Sequence, residues 1–350
     1  MNETIHSNSG ILDQVMAADL SRLRRFLLTN PTTPLIAAGS GGSESAARFA
    51  ALLYGACGGV ATAVSPYSLN SFSDAALSTA KVLLLSKGGH NNDIVFATRR
   101  CLKANPDKTA AVNFSSGERN GVLKLFEKAG SENAFLFPVH NISDGFVSTG
   151  TSVAWFSLLA RAFQPGLDLD KYLDEPETPV TMCRNDGTPL SAADFAGVKN
   201  YVVLHGSWGM PVAHNFEGKV VETGLSGATV CDYRNYCHGR FIYTSNHLKD
   251  SAVVLLVSPR EKAIAHRTRG FLPAATKLAV IETEHDTPEA SLDLLLRMKV
   301  FFSAICDAAG ANPASPANPG RIDKRKPIWT PFMDDMKRSG PLTLPRYSPE

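Results

Sequence analysis

The stretch Leu204–Arg240 reads LHGSWGMPVAHNFEGKVVETGLSGATVCDYRNYCHGR, and it decides how the rest of the chain is interpreted. It begins at the end of a short apolar run, Tyr201–Leu204, which predicts a strand. A turn broken by glycines follows at His205–Gly209. The residues from about Pro211 to Thr223 then predict a helix, because proline is tolerated in the first turn of a helix. The stretch therefore predicts a strand, a glycine turn and a helix in succession.

Three side chains in this stretch can take up or release protons. Lys219 and Glu222 are three residues apart, so a helix places them on one face. His238, followed by Gly239, lies sixteen residues beyond Glu222. An amine, a carboxylate and an imidazole are common general acids and bases. The alternative for the first two is an ordinary solvated helix face, and a His-Gly pair also occurs in simple turns.

Apolar runs of four to five residues recur on both sides of this stretch, separated by segments with helical periodicity. This alternation predicts parallel sheets covered by helices on both faces. The chain is therefore expected to be α/β, with two tandem αβα sandwiches of flavodoxin-like plan. The predicted strands are Leu35–Ala38, Val60–Val64, Val82–Leu85, Thr109–Asn113, Ala134–Phe137, Tyr201–Leu204, Ala228–Cys231, Val253–Val257 and Leu278–Glu282.

The 350 residues suit two domains of ordinary size. We expect an N-terminal helix in 1–30, a first domain in 31–175, a second domain in 185–310 and an extended, proline-containing tail in 311–350. A loop is expected at Gln164–Pro189, between the two domains. The predicted helices are Ile11–Leu28, Glu44–Gly55, Ile94–Ala104, a long apolar helix capped by Asp144–Thr149 and ending at Phe163, Ala192–Val198, and Glu289–Ala308.

Three junctions in the first half are rich in glycine and hydroxyl residues: Gly39–Ser43, Ser86–Asp93 and Ser148–Thr149. In a parallel α/β sheet, ligands bind outside the carboxyl ends of the strands. Backbone N–H groups at a helix N-terminus there can hold a phosphate. The alternative is that the glycines only make tight turns between strand and helix. The pattern thus predicts an anion site.

Composition excludes several classes of protein. The formal net charge is +2 and the basic residues are dispersed, so no nucleic-acid partner is expected. The six cysteines show no C-x-x-C spacing, and the N-terminus lacks the basic start and apolar run of a signal peptide. No apolar stretch reaches the length of a membrane span. We expect a cytoplasmic protein with reduced thiols, no membrane association, no metal and no cofactor.

The segment Leu204–Gly239 resembles the second half of the sugar-isomerase (SIS) domain family, best known from the isomerase part of glucosamine-6-phosphate synthase. In that family a glycine-rich turn leads into a helix with Lys-x-x-Glu, and His-Gly follows at the same distance. The family's three phosphate loops read roughly Gly-Thr-Ser, Ser-x-Ser-Gly-x-Thr-x-Asp and Ala-Ser-Thr. The resemblance covers about residues 30–330, and Ser40, Ser86, Asp93, Ser148 and Thr149 fit its loops. The substrate-binding residues expected in these loops are Gly39, Ser40, Ser43, Ser86, Lys87, Gly88, Asn91, Ser148 and Thr149.

The loops of this chain depart from the family pattern at three positions. Gly41, Gly88 and Asn91 each stand where the family has a hydroxyl residue. Lys87 can compensate as a point charge, and Ser43 is a further donor. The departures leave open whether the chain is an active enzyme and which phosphosugar it takes.

The resemblance also implies a role for each candidate catalytic residue. Glu222 would be the base that moves a proton between sugar C1 and C2, with Lys219 beside it. His238 would assist ring opening and, as in the family, could be donated across a homodimer. Lys324, five residues after Pro319, would come from a tail that closes the site; Arg321 and Lys326 are alternatives.

The function implied by the resemblance is a phosphosugar aldose–ketose isomerase or an amino-sugar phosphate deaminase or deglycase. The alternative from another class is a non-catalytic sensor that binds a sugar phosphate or sugar nucleotide. A dinucleotide-binding dehydrogenase fits less well, because Gly39–Ser43 lacks the G-x-G-x-x-G spacing. A serine hydrolase fits less well still, because the chain has no G-x-S-x-G motif.

Overall fold

The computed structural model describes residues 9–115, 117, 120–140, 142, 144–172 and 180–316. These residues form two compact units. One contains the described residues from Ala17 to His140, and the other contains those up to Met16 together with those from 142 to 316. The predicted tail, including Lys324, lies outside the described residues except for its first few positions.

The first part of the chain alternates between short strands and helices, as the apolar runs predict. Its strands are three to six residues long, and each of the first four is followed by a helix. In chain order the elements are α1 (Ser9–Ala17), α2 (Ser21–Leu28), β1 (Leu35–Ala38), α3 (Gly42–Ala56), β2 (Ala61–Val64), α4 (Asp74–Thr79), β3 (Lys81–Ser86), α5 (Asn92–Ala104), β4 (Thr109–Asn113), α6 (Gly121–Lys128) and β5 (Ala134–Leu136).

Strands β1 to β5 form sheet A, a parallel sheet with the order β2-β1-β3-β4-β5. One face packs against α4, α5 and α6, through a cluster that includes Leu84, Ile94 and Phe126. Successive side chains of a strand point to opposite faces. The residues between them, such as Leu83, are buried on the other face, which α3 covers. Burial on both faces explains why these strands are continuous apolar runs.

The second part of the chain repeats this plan with longer connections. It also contains several short helices after its second parallel strand. In chain order the elements are α7 (Gly150–Phe163), β6 (Thr181–Arg184), α8 (Ala193–Ala196), β7 (Asn200–His205), α9 (Met210–Glu222), β8 (Gly227–Asp232), α10 (Tyr233–Asn235), α11 (Phe241–Asn246), β9 (Ser251–Val257), α12 (Lys262–Phe271), β10 (Lys277–Glu282) and α13 (Glu289–Ala309).

Strands β6 to β10 form sheet B, with the order β6-β10-β9-β7-β8. One face packs against α12 through a hydrophobic cluster that includes Val253 and Ala265. The other packs against α8, α9 and α13, where Tyr201, Phe216 and Phe301 form an aromatic cluster with ring centroids 5.4–6.4 Å apart. The predicted α/β fold with two αβα sandwiches is confirmed. Sheet B differs from the expected parallel sheet at one edge, because β6 pairs antiparallel with β10.

Several sequence predictions of secondary structure are wrong in detail. The single helix predicted at Ile11–Leu28 is two helices, α1 and α2, and in the turn between them the carboxylate of Asp19 accepts a hydrogen bond from Ser21 N at 2.9 Å. Strand β6 lies inside the predicted loop. Helices α4, α6, α10, α11 and α12 are absent from the sequence predictions.

Among the helices in the described part of the chain, none combines the length and the apolar character needed to cross a membrane.

Candidate active site

Two of the predicted phosphate loops lie at the same edge of sheet A. Gly39–Ser43 follows β1 and Ser86–Asn91 follows β3, and these strands are parallel neighbours. Their carboxyl ends therefore point the same way. The third predicted loop, Ser148–Thr149, belongs to the other unit.

The first loop is built around two glycines that no other residue would replace without strain. A Cβ on Gly39 would lie 2.2 Å from the carbonyl oxygen of Ser43, so the chain folds back on itself there. Gly41 has φ +55°, which is unfavourable for a residue with a side chain. Glycine at position 41, where the family has a hydroxyl residue, thus allows the backbone conformation that this loop adopts.

The second loop commits some of its predicted donors to its own structure. Ser86 Oγ accepts a hydrogen bond from Gly89 N at 3.1 Å. Asn91 Oδ1 caps α5 by accepting from Asp93 N at 2.9 Å. The side-chain oxygen of Asn91 therefore acts as a helix cap, whereas the sequence suggested a ligand contact.

Asp144 caps α7, as the sequence predicts, and this has a consequence that the sequence did not reveal. Its carboxylate accepts hydrogen bonds from the backbone N–H groups of Thr149, Gly150 and Thr151 at 2.9, 2.8 and 3.1 Å. These are the donors that a helix N-terminus would offer to a phosphate. At Ser148–Thr149 the anion position next to the backbone is thus filled by the protein's own carboxylate.

Lys219 lies in a buried polar network between α9 and α7. Its ammonium donates to Ser152 Oγ at 3.1 Å and to Asn215 Oδ1, and Asn215 Nδ2 donates to the same Ser152 oxygen at 3.0 Å. Ser152 Oγ in turn donates to the carbonyl of Ser148 at 3.0 Å. The structure therefore brings together two predicted parts of the site, Lys219 and the start of α7.

The two predicted helix-face partners differ in their surroundings. Lys219 is 5% exposed, whereas Glu222 is exposed, and the two form no ion pair. Burial lowers the pKa of Lys219 to about 7, an effect that Asp144 and Glu222 oppose and Lys299 reinforces. Desolvation of its carboxyl group raises the pKa of Glu222, and the nearby Lys219 opposes this rise.

His238 lies beyond the opposite edge of sheet B from Glu222. Helix α9 runs from the carboxyl end of β7 back to the amino end of β8, and Glu222 is its last residue. His238 comes after the carboxyl end of β8, in a kinked turn where Gly239 has φ 103°. Within one chain the structure does not bring Glu222 and His238 together.

The described start of the predicted tail runs beside the beginning of α7. Phe146 N donates to Ala314 O at 3.0 Å, and Val147 N donates to Pro313 O at 3.1 Å. A Cβ on Gly145 would lie 2.1 Å from the Cα of Ala314, so the contact is close. These bonds hold the chain after α13 against the residues just before Ser148.

Sequence reasoning missed two members of the Lys219 network, Ser152 and Asn215. Asn215 precedes Lys219 by four residues, a spacing that places it on the same helix face. Ser152 is a polar residue in an otherwise apolar helix, where a hydroxyl needs a partner. Both signals are present in the sequence.

As for metals, the part of the chain that the structure describes contains no group of three or more His, Cys, Asp or Glu side chains suited to hold an ion.

Solved structures with the same architecture cover most of the chain. The chain superposes on tagatose-6-phosphate ketose/aldose isomerase from Escherichia coli with a TM-score of 0.67 at 17% identity, covering 90% of this chain and 94% of that one. The fold is that of the sugar-isomerase proteins.

Two further structures support this assignment of the fold. The C-terminal domain of glucosamine-fructose-6-phosphate aminotransferase from Francisella tularensis gives a TM-score of 0.63 at 11% identity, covering 88% and 96% of the two chains. Glucosamine-6-phosphate deaminase from Thermotoga maritima gives a TM-score of 0.61 at 16% identity, covering 88% of this chain and 97% of that one. The sequence matches no protein-family model and no curated protein.

Proposed function

We propose that the protein is a phosphosugar-processing enzyme, an aldose–ketose isomerase or an amino-sugar phosphate deaminase or deglycase. The observation that carries this proposal is the buried network of Lys219, Asn215 and Ser152, one helical turn from Glu222 and bonded to the start of α7. The three structural neighbours are named for phosphosugar reactions, which agrees with this chemistry.

Glu222 is the proposed base. Glu222 is exposed as a residue, so a substrate can approach it, and desolvation of its carboxyl group raises its pKa above the ordinary value, which makes the carboxylate a stronger base. Moving a proton between C1 and C2 requires the base to accept the proton and then return it. Lys219 lies beside the base as a fixed amine whose pKa of about 7 allows it to carry or lack a proton near neutral pH.

We further propose a homodimer in which His238 assists ring opening in the site of the partner copy. The position of His238 beyond the opposite sheet edge from Glu222 favours this arrangement over one within a single chain. Analytical ultracentrifugation should show a dimer at working concentrations. A purely monomeric sedimentation profile would remove this part of the proposal.

The phosphate is proposed to bind the loops at the carboxyl edge of sheet A, through Ser40, Ser43, Ser86, Lys87 and the neighbouring backbone. Lys324 is proposed to approach from the tail, whose described start is bonded beside Ser148. A crystal soaked in sulfate should show the anion in these loops; an anion elsewhere, with the loops empty, would contradict the assignment.

Substitution of Glu222 by glutamine tests the base directly. Glutamine keeps the size and a hydrogen bond but cannot accept the proton, so Glu222→Gln should keep ligand binding and lose on the order of 10²–10⁴-fold in turnover. Exchange of the sugar C2 hydrogen in deuterated water, followed by NMR, measures the proton step. The control is Glu217→Gln, one and a half turns earlier on α9, which should retain turnover although it removes a charge that helps to raise the pKa of Glu222. Exchange that persists at the wild-type rate in Glu222→Gln would identify another residue as the base.

The second candidate function is a non-catalytic sensor of a sugar phosphate or sugar nucleotide. The observation that favours it is the Asp144 carboxylate, which occupies backbone donors at the start of α7. A sensor would bind phosphosugars and raise its melting temperature with them. It would show no C2 exchange with any of them in the wild type, and this result would decide in its favour.

A further inference from the structure

A cavity of about 450 Å³ opens at the carboxyl edge of sheet B. The ends of three neighbouring parallel strands form its wall: His205 ends β7, Asp232 ends β8, and Glu261 follows β9. This is the edge at which open α/β sheets bind ligands, and the volume is typical of small-molecule sites. Glu222 lies at the far end of α9, about 20 Å along the helix axis. The cavity is therefore separate from the proposed catalytic base.

The floor of the cavity contains a buried imidazole with an unused acceptor. His205 is 8% exposed, and its Nδ1 lies 2.8 Å from the carbonyl oxygen of Gly206. A carbonyl only accepts, so Nδ1 carries the hydrogen and Nε2 carries a lone pair. Within the residues that the structure describes, Nε2 has no hydrogen-bond partner. Burial lowers the pKa of His205, and the charges of Asp232 and Glu261 oppose this effect. The lowered pKa favours the neutral ring, in which Nε2 is free to accept a hydrogen bond.

Glu261 provides a second acceptor on the same wall. Its Oε2 accepts from Ser258 N at 3.2 Å, which fixes the carboxylate in place. Its Oε1 lies against Gly206, where a Cβ would approach to 2.0 Å. The cavity thus presents a fixed carboxylate oxygen and an imidazole nitrogen, both of which accept hydrogen bonds from hydroxyl groups.

Arginines form the rim of the cavity. Arg234, Arg260 and Arg267 line it and are exposed. Arg260 pairs with Asp286 at 3.2 Å, whereas Arg234 and Arg267 form no ion pair with a described residue. Asp232 is directed to the backbone, where its Oδ1 accepts two hydrogen bonds at 2.8 Å in capping α10. The rim is therefore suited to a phosphate, which guanidinium groups bind in a bidentate manner.

We propose that this cavity is a second ligand site, which binds a small phosphorylated polyol. Hydroxyl groups of the ligand donate to His205 Nε2 and Glu261 Oε1, and its phosphate binds Arg234 and Arg267 at the rim. The site goes beyond the proposed function, which assigns the base to the other end of α9 and the phosphate to the loops of sheet A. His238, the one proposed catalytic residue beyond this edge of sheet B, does not line the cavity.

The test uses the full-length protein and NMR of the histidine ring nitrogens. A hexose 6-phosphate is titrated, with the unphosphorylated hexose and inorganic phosphate as separate probes. The ring signals of His205, assigned by their loss in His205→Gln, should move with the hexose phosphate at concentrations where neither separate probe moves them. The backbone amide signal of Gly206 is a second reporter and serves alone if His205→Gln does not fold.

Charge reversal at the rim separates this site from other binding. Arg267→Glu should weaken the hexose phosphate at the His205 and Gly206 reporters by about tenfold to a hundredfold, the usual loss for a hydrogen bond to a charged group. Arg269→Glu makes the same change on α12 outside the cavity and should leave the affinity unchanged. Glu222→Gln should also leave it unchanged, so failure here and failure of the proposed function are distinct results.

Three outcomes would overturn the proposal. The first is that the reporters stay in place at millimolar hexose phosphate. The second is that they move with equal affinity in Arg267→Glu. The third is that inorganic phosphate alone moves them to the same extent as hexose phosphate, which would make the cavity a simple anion site with no polyol recognition.

Discussion

The two ends of α9 hold buried polar groups in opposite ways. At its C-terminal end, Lys219, Asn215 and Ser152 satisfy one another in a closed network. Beyond its N-terminal end, His205 and Glu261 are equally buried but face a cavity. One end is internally paired, and the other opens into a cavity.

This difference shows that burial alone does not identify a binding group. A buried amine whose hydrogen bonds are made inside the protein is fixed in position and supports its neighbours. A buried imidazole with one ring nitrogen facing a cavity still needs a partner. The catalytic proposal therefore uses Lys219 as a support for Glu222, while the ligand proposal uses His205 as a contact.

Mixing two inactive variants gives the largest expected effect. It tests whether Glu222 of one subunit and His238 of the other form one active site. Glu222→Gln and His238→Ala should each be strongly impaired. If the two chains pair at random, about half of the dimers contain one chain of each kind. When His238 acts in the partner's site, each such dimer has one intact site out of two, so activity should return to about one quarter of wild type. The measurement is turnover after joint refolding of the two chains. No recovery, with mixed dimers verified by mass spectrometry, would place His238 in the site of its own chain or outside it.

The closed network predicts a pH dependence of stability. Lys219 releases its proton at about pH 7 in the folded protein but near its ordinary, much higher pKa when unfolded. Between these values the unfolded state binds more protons, so the free energy of unfolding rises with pH, by roughly 1 kcal/mol per pH unit. In Lys219→Met this contribution disappears at all pH values. Urea unfolding of both proteins between pH 7 and pH 9 measures the difference; parallel curves would show that Lys219 stays charged.

Ser152→Ala should destabilise the protein more than Ser157→Ala does. Ser152 Oγ serves as acceptor for both Lys219 and Asn215, so its removal leaves two buried donors with one partner fewer and costs about 1–3 kcal/mol. Ser157 lies on the same helix, equally buried, and makes one local bond to Val153 O at 2.7 Å. Chemical denaturation gives both values. Equal losses would mean that the network adds nothing beyond a local bond.

Gly206→Ala gives the smallest expected effect and tests the open end. The added Cβ would meet the buried Glu261 side chain at 2.0 Å, so Glu261 must move and its cap on Ser258 weakens, at a cost of about 1–2 kcal/mol. Gly218→Ala, inside α9 with nothing within 4 Å, should stabilise by up to about 1 kcal/mol. Thermal unfolding distinguishes the two signs. A neutral Gly206→Ala would show that the cavity wall is adaptable.

Much of the fold follows from the sequence because its strands are buried on both faces. Leu35–Ala38 is fully buried and appears as an unbroken apolar run. The edge strand Thr181–Arg184 is half exposed and has no such run, so it looked like a loop. The short helices α4 and α6 depend on single caps, Ser73 and Asn120, whose hydrogen bonds a periodicity analysis does not detect.

The candidate site was predictable only in part. The spacing of Lys219 and Glu222 indicates a shared helix face but does not say which of them enters the core, since that depends on how α9 packs against α7 and α13. The cap at Asp144 was predictable, whereas its effect on the neighbouring donors required the geometry of three N–H groups. The resemblance to the sugar-isomerase family does not indicate that Glu222 and His238 lie beyond opposite sheet edges.

Helix α1 ties the beginning of the chain to the part that is synthesised later. Ile11, Leu12 and Val15 are buried, and Arg161 of α7 donates a hydrogen bond to the carbonyl of Val15. During translation α1 is therefore synthesised before α7, and it can pack against α7 only after Ala17–His140 has been synthesised. Removing the first sixteen residues should accordingly impair the unit that contains α7 and leave the other unit able to fold.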